Sequence, residues 1–214
     1  MAEKEKKKRE PKEEKSLDLK KDRKKENKIL KIVLLFIGIF FLVLIISFVV
    51  MRNSSHPKYG GLTFNAVQQG QILFYHTTFP VIYKGNISEY NIYLRNSPKD
   101  LKKEVPFKGE IGSITNTVIN ITKEFDCNGD QVIAIANMVN LYGAIGNKLI
   151  RDENASCDPS GRYTYIVVQP GEKTSVEQVG PSCYNINIKD CEILKGTERY
   201  ILEMLAKVHS DIYS

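Results

Sequence analysis

The longest hydrophobic stretch of the chain is Ile32–Met51, which runs for 20 residues without a charged side chain. At about 1.5 Å of rise per residue, a helix of that length spans roughly the 30 Å hydrocarbon core of a bilayer. A lone segment in lipid must satisfy its own backbone hydrogen bonds, so we expect a helix. The stretch is longer than the apolar core of a secretory signal and ends on the bulky residues Val49-Val50-Met51. These features favour an uncleaved anchor over a cleaved signal or a buried soluble helix.

Beyond the anchor, the pattern changes to short runs of aromatic and β-branched residues. Residues 52–61 contain Ser, Pro and Gly and read as a linker, which leaves residues 62–214 as one domain. The first runs are broken by Gly70, Gly85 and a turn at residues 96–100, as is typical of strands. A helical turn is possible at Leu101–Glu104. The predicted strands are Leu62–Phe64, Gln71–Phe74, Phe79–Tyr83 and Asn91–Leu94.

The second half of the domain alternates strands with two helices. Asp130 is predicted to cap a helix over Gln131–Ile150, although Gly143 and Gly146 weaken its last turns. Thr197 is predicted to cap a final helix over Glu198–Ser210. The core-facing stripe of the first helix is expected to contain Val132, Ile135 and Ala136, Val139, Tyr142, Gly146 and Leu149.

Four further strands complete the predicted domain. Thr117–Thr122 places Ile119 and Ile121 on one face, and the continuously apolar middle of Tyr163–Gln169 indicates a central strand. Thr174–Val179 and Cys183–Ile188 alternate in the same way. We expect a parallel crossover around the first helix and antiparallel meanders elsewhere. The predicted fold class is therefore α+β, with one mixed sheet and two helices packed on it.

Charge is concentrated in the tail that precedes the anchor. Residues 1–31 contain 14 Lys or Arg and 8 Asp or Glu, which accounts for the whole net charge of +6. Residues 52–214 are neutral, so the pI of about 9.0 does not indicate a nucleic-acid-binding domain. The tail has too few apolar residues to bury and is predicted to be disordered, with its cations held by anionic lipid head groups.

The position of these cations also predicts orientation. Basic residues crowd the N-terminal flank of the anchor, whereas the other flank offers only Arg52 and Lys58. Cytoplasmic flanks carry the excess of Lys and Arg. We therefore expect a cytoplasmic N-terminus, an extracytoplasmic domain and a cell-membrane location.

All four cysteines, Cys127, Cys157, Cys183 and Cys191, lie in the predicted outer domain. An even number on the outside suggests two disulfides, and the absence of a C-x2-C pair argues against a structural zinc site. A straight strand over Cys183–Ile188 would hold Cys183 and Cys191 too far apart to bond. Each of these two is thus expected to pair with Cys127 or Cys157, in an order left open. A catalytic thiol at Cys127 is the alternative reading.

Four Asn-x-Ser/Thr sequons are candidate glycosylation sites. Asn53 lies close to the anchor, which makes modification there unfavourable. Asn120 is on the polar face of its strand, and Asn86 and Asn154 are in loops. Asn86, Asn120 and Asn154 are therefore the predicted glycosylation sites.

Few residues form a recognisable catalytic, cofactor-binding or metal-binding motif. The sequence has no nucleotide-binding, hydrolase or zinc-protease motif, so no cofactor and no metal are predicted. Tyr75-His76 beside Thr77-Thr78 is a candidate site, although a lone histidine after a strand is usually structural. Residues 127–130 suggest a turn rather than a calcium loop, and Glu198-Arg199 suit a helix start facing solvent. Asp152, Glu153 and Asp158 form an acidic loop that is expected to be solvated.

The segment Cys-Tyr-Asn-Ile-Asn-Ile-Lys-Asp-Cys-Glu-Ile-Leu at residues 183–194, followed by Glu198-Arg199-Tyr200, resembles a pattern found in small membrane-anchored archaeal proteins. The resemblance covers the C-terminal part of the chain. It implies no activity and suggests an archaeal outer surface.

These features give three functional hypotheses. The first is a single-pass surface protein whose outer domain binds a protein partner or contributes to the envelope, with no nucleic-acid partner. The second is an anchored extracytoplasmic enzyme, either a hydrolase or a thiol-dependent one. The third is an accessory subunit of a membrane complex. A pocket joining His76, a carboxylate and a free cysteine would favour the enzyme, whereas closed disulfides and a flat surface would favour binding.

Overall fold

The computed structural model describes residues 28, 30–49, 56–83 and 86–213. Most of the tail, the last two residues of the predicted anchor, the start of the linker and the Asn53 sequon lie outside these ranges. The chain divides into two compact units, Met1–Asn53 and Ser54–Ser214.

Helix α1 (Leu30–Val49) is the described part of the first unit, together with Lys28. It has 20 residues, a mean hydropathy of 3.3 and no buried part. Its length is about 30 Å at the usual helical rise, which matches the hydrocarbon thickness of a bilayer. A helix is therefore present over the described part of the predicted anchor. It begins before the predicted first residue, Ile32, and is long and apolar enough to cross a membrane.

The second unit is an α+β domain, as the sequence predicts. Its strands form three sheets of two, six and three strands rather than one sheet. The elements in chain order are β1 (Lys58–Tyr59), β2 (Leu62–Thr63), β3 (Asn65–Gln69), β4 (Ile72–Tyr83), β5 (Asn86–Leu94), α2 (Pro98–Glu104), β6 (Phe107–Lys108), β7 (Thr117–Ile121), α3 (Asp130–Ala144), β8 (Leu149–Arg151), β9 (Thr164–Pro170), β10 (Ser175–Gly180), β11 (Cys183–Ile188) and α4 (Ile193–Tyr213).

The six-stranded sheet has the order β6-β10-β11-β9-β7-β8. Strand β7 is parallel to both β8 and β9, so the expected parallel step around α3 is present. The expected meander over β9, β10 and β11 is wrong, because β11 inserts between the other two and lies parallel to β9. The central position of β9 agrees with its apolar middle, since Tyr165 and Ile166 on opposite faces of the strand are both buried and Val167 is half-buried.

The three-stranded sheet is an antiparallel meander of β3, β4 and β5. Strand β4 is a single 12-residue strand where two strands were predicted. The residues between the two predicted strands, Tyr75–Thr78, are paired with β5 throughout. Pro80 does not interrupt β4, since it lies opposite Glu89 and the residues on either side of it remain paired with β5.

Helix α3 begins and ends earlier than predicted. Gly129, at a positive φ of 86°, takes the N-cap position, and Asp130 is the first helical residue without a capping hydrogen bond. The helix ends at Ala144, and part of its predicted C-terminal end is strand β8.

The predicted core stripe of α3 is largely wrong. Val132 and Val139 are 71% and 43% exposed, whereas the buried residues are Ala134, Met138, Leu141 and Tyr142. Apolar residues lie on both faces of this helix, so hydrophobic periodicity does not identify the face that packs on the domain.

Helix α4 starts before its predicted cap. Thr197 lies inside the helix, and its Oγ1 donates to the carbonyl oxygens of Ile193 and Leu194. A Cβ added at Gly196 would lie 2.5 Å from Ile188 Cδ1, so this glycine lets α4 approach β11 closely. The helix then buries Ile201, Leu202 and Leu205.

Candidate functional site

Glu198 on α4 holds the end of β5 in place. Its carboxylate accepts hydrogen bonds from the backbone N–H of Arg95 at 2.6 Å and of Asn96 at 2.9 Å. A third bond comes from the Asn96 side-chain amide at 2.8 Å. The side chain is fully buried, which raises the pKa of Glu198 to about 7 against the opposing effect of the three donors. The predicted solvent-facing role of Glu198 is therefore wrong, because the residue lies in the core.

Arg199 is the adjacent buried charge, and it too was predicted to face solvent. Its Nε donates to the carbonyl of Val105 at 3.0 Å, and its Nη1 lies 2.6 Å from Glu203 Oε1. The guanidinium also lies over the rings of Tyr59 and Phe107. Tyr59 donates to Glu203, and burial raises the Tyr59 pKa to about 12. Arg199 thus joins α4 to β1 and to the end of α2.

The other buried polar cluster on α4 is aromatic. The hydroxyls of Tyr142 and Tyr200 are 2.8 Å apart, and the ring of Tyr184 packs edge-on against Tyr200. Tyr184 donates to Glu110 and accepts from the N–H of Gly112. Burial raises the pKa of all three hydroxyls. They stay protonated and serve to hold the core together.

The three-stranded sheet has one face on the core and one face in solvent. On β4, Thr77, Phe79 and Val81 are buried, so the alternate residues point outward. The strand register places outward residues of β3 and β5 beside them. We call this outward surface the aromatic face. It consists of Val67, Ile72, Phe74, His76, Thr78, Asn91, Tyr93 and Arg95.

Tyr93 is the centre of the aromatic face. Its ring centroid is 4.7 Å from that of His76 and 6.3 Å from that of Phe74, which it meets edge-on. The Arg95 guanidinium lies 5.8 Å from the Phe74 ring centroid. Tyr93 and Ile72 each remain 40% exposed. Phe74, His76 and Arg95 are half-buried. Aromatic residues and arginine are enriched among the residues that contribute most to protein–protein binding.

The polar side chains of the aromatic face are connected to one another. Asn91 Oδ1 lies 2.8 Å from His76 Nε2 and accepts a bond from Thr78 Oγ1 at 3.2 Å. Of the predicted site residues, His76 and Thr78 therefore point outward together. Thr77 points inward and donates to the carbonyl of Thr63. His76 contacts an amide and a ring, not a carboxylate or a cysteine.

The four cysteines form two bonds, Cys127–Cys191 and Cys157–Cys183. This is one of the two arrangements that the sequence left open. The first bond joins the turn before α3 to the turn before α4, and the second fixes the loop before β9 to the start of β11. No cysteine among the described residues is free, so Cys127 is not available as a thiol.

The three candidate glycosylation sites differ in accessibility. Asn86 and Asn154 are exposed, although Asn86 begins β5 instead of lying in a loop. Asn120 is half-buried in β7. Its side-chain amide bonds to the carbonyl of Glu153 and to the hydroxyl of Tyr165.

The acidic loop is only partly solvated. Asp152 and Glu153 are exposed, but Asp158 is buried in the loop and paired with Arg162 at 2.9 Å. Hydrogen bonds from Arg162 and Ser160 lower the pKa of Asp158 to about 2. Within the described ranges, no group of three or more His, Cys, Asp or Glu side chains could hold a metal ion.

The aromatic face is absent from the sequence predictions because β4 was divided in two. A single strand over residues 72–81 would have placed Ile72, Phe74 and His76 on one face by simple alternation. The uninterrupted aromatic and β-branched composition of this segment was the available signal.

Comparison of the chain with protein-family models, curated proteins and solved structures finds no significant match. The resemblance to archaeal membrane-anchored proteins therefore stays a prediction. The apolar helix α1 and the two disulfides together indicate a secreted or membrane-anchored domain.

Proposed function

We propose that the protein is a single-pass membrane protein with a cytoplasmic N-terminus, and that its extracytoplasmic domain binds another protein through the aromatic face. The orientation rests on the cations at the N-terminal flank of α1. The disulfides support the same side for the domain, because such bonds persist in oxidising compartments. The exposed asparagines Asn86 and Asn154 would then be available for glycosylation.

The aromatic face is the observation on which the binding function depends. Tyr93 packs against the rings of His76 and Phe74 on the neighbouring strand, and these contacts reduce the side-chain freedom that would be lost when a partner covers it. Glu198 accepts hydrogen bonds from the backbone N–H groups of Arg95 and Asn96 and so fixes the main chain that carries the Arg95 side chain. The face is thus ordered before any partner arrives, which favours binding.

The chemistry of this face fits a protein better than a nucleic acid. Residues 52–214 carry no net charge, so the domain as a whole has no electrostatic attraction for the phosphates of a nucleic acid. The rings of Phe74 and Tyr93 meet edge-on and do not form a stacking platform for bases. Arg95 offers one cation, which suits a partner with an apolar patch beside a carboxylate.

Site-specific photo-crosslinking in the native membrane tests the proposal. A photoreactive residue in place of Ile72, at the aromatic face, should give a defined crosslinked product. The same residue in place of Val179, which is 55% exposed on β10, should not. Adding Tyr93→Ala should reduce the yield at Ile72 about tenfold or more, because truncating a central interface tyrosine often costs about 2 kcal/mol. Equal products at both positions, or a yield at Ile72 that Tyr93→Ala leaves unchanged, would exclude this face as the binding site.

A further inference from the structure

Strand β5 is an unprotected edge of the three-stranded sheet. Its nine residues pair with β4 on one side without a register shift. On the other side no backbone hydrogen bond is present among the described residues. Residues 86–89 are all exposed, and Ile87 is 76% exposed.

The edges of the six-stranded sheet are built differently. Edge strand β6 has two residues and includes Lys108, and edge strand β8 has three and ends on Arg151. Short length and basic residues are common means of preventing edge-to-edge pairing. In contrast, β5 is long and has no proline, lysine or arginine. The opposite edge of the small sheet, β3, has five residues.

The outward-facing residues of β5 are complementary to themselves in one antiparallel register. An antiparallel pair of β5 strands centred on Tyr90 engages all nine residues of each strand. On the outward face it places Ile87 opposite Tyr93 of the second copy, an apolar pair, and Glu89 opposite Asn91, a carboxylate beside an amide. On the core-facing side, Ser88 lies opposite Ile92 and Asn86 opposite Leu94. A pair centred on Glu89 would oppose two like charges, which is unfavourable.

We propose that two copies of this chain pair along β5 in an antiparallel, two-fold symmetric arrangement. The order of strands across the interface would be β3-β4-β5 and then β5-β4-β3 of the second copy. This association extends beyond the proposed binding function and does not depend on it. It would place the two aromatic faces on the same side of one continuous sheet, because facing residues of an antiparallel pair point to the same side.

The candidate sequon at Asn86 is compatible with this pairing. Asn86 is the first residue of β5 and thus lies at the end of the interface. Side chains of a strand stand roughly perpendicular to the sheet, so a glycan at Asn86 would extend from the sheet surface instead of entering the edge.

Disulfide crosslinking of the full chain in native membranes tests the register. Two differently tagged copies are expressed together, one with Glu89→Cys and the other with Asn91→Cys. In the proposed pair these positions face each other at a Cα separation of about 5 Å, which a disulfide can bridge. A tagged pair in which both copies carry Ile87→Cys is the control, because those positions would be six residues out of register and about 20 Å apart.

The expected result is a crosslinked dimer with the mixed pair and little with the Ile87→Cys pair. No crosslink with the mixed pair, or an equal yield in the control, would overturn the proposed register. Both substituted positions are on the exposed side of β5, so loss of the fold does not explain a negative result.

Lysine substitution at each edge tests which edge is used. Ile87→Lys should weaken self-association of the full chain in detergent about tenfold or more, since the symmetric pair contains two Ile87–Tyr93 contacts. Gln69→Lys on β3 should have no effect, and sedimentation measures both. A dimer that tolerates Ile87→Lys, or one that only Gln69→Lys disrupts, would overturn the proposal. The second outcome would indicate pairing through β3.

Discussion

Glu198 and Arg199 are adjacent in sequence, and α4 buries both. Each has partners for its charge, because Glu198 accepts three N–H donors and Arg199 binds a carbonyl, a hydroxyl and a carboxylate. Buried charges are usually paired in this way. The spacing places Glu198 on the same face of α4 as Ile201, Leu202 and Leu205, but Glu and Arg are almost never fully buried, so residue type argued for solvent.

Glu198 should make stability depend on pH in a window near neutrality. The folded-state pKa of about 7 lies above the ordinary 4.5, so the native protein holds a proton that the unfolded chain releases. This stabilisation is complete below about pH 4.5 and is lost as the pH rises through 7, up to about 3 kcal/mol in total. The free energy of unfolding of the full chain, measured with denaturant in detergent, should therefore fall more steeply between pH 5 and 7 for the wild type than for Glu198→Gln. Equal slopes would mean that Glu198 stays ionised in the fold.

At the scale of elements, the strands were predicted better than the helix ends. Ile119 and Ile121 of β7 are buried as their alternation predicts, and β9 is central. Strand β4 and helix α4 were both cut short in the prediction, because Tyr75–Thr78 fall between two predicted strands and Thr197 has the residue type of a helix cap. Gly196 lies inside α4 because the helix packs closely on β11, and this tertiary contact outweighs its low helix propensity.

Two helical glycines should respond oppositely to alanine. Gly196→Ala places a methyl group against buried Ile188 and Ile186, so we expect a net loss of about 1 kcal/mol despite the better helix propensity. Gly143→Ala in α3 meets no atom within 4 Å and should stabilise the protein by about 0.5–1 kcal/mol. Chemical denaturation measures both variants. A stabilising Gly196→Ala would show that α4 and β11 have room to adjust.

At the scale of the whole molecule, the fold class and the apolar helix could be predicted from sequence, but the sheet order could not. The insertion of β11 between β9 and β10 depends on long-range pairing that local alternation does not encode. The aromatic face depends in turn on the register of three strands, which brings Tyr93 beside His76 and Phe74. The length of β11 excluded a bond between Cys183 and Cys191 and left two possible pairings. The choice between them depends on where α3 and α4 lie in the fold.

The proposed binding function assumes a domain outside the cytoplasm. Labelling of intact cells with a membrane-impermeant maleimide tests this assumption most directly. One variant of the full chain carries Val132→Cys, at a position 71% exposed on α3, and a matched variant carries Ser16→Cys in the tail. We expect Val132→Cys to react in intact cells and Ser16→Cys to react only after lysis. The reverse pattern, or reaction of both positions only after lysis, would contradict the proposed orientation.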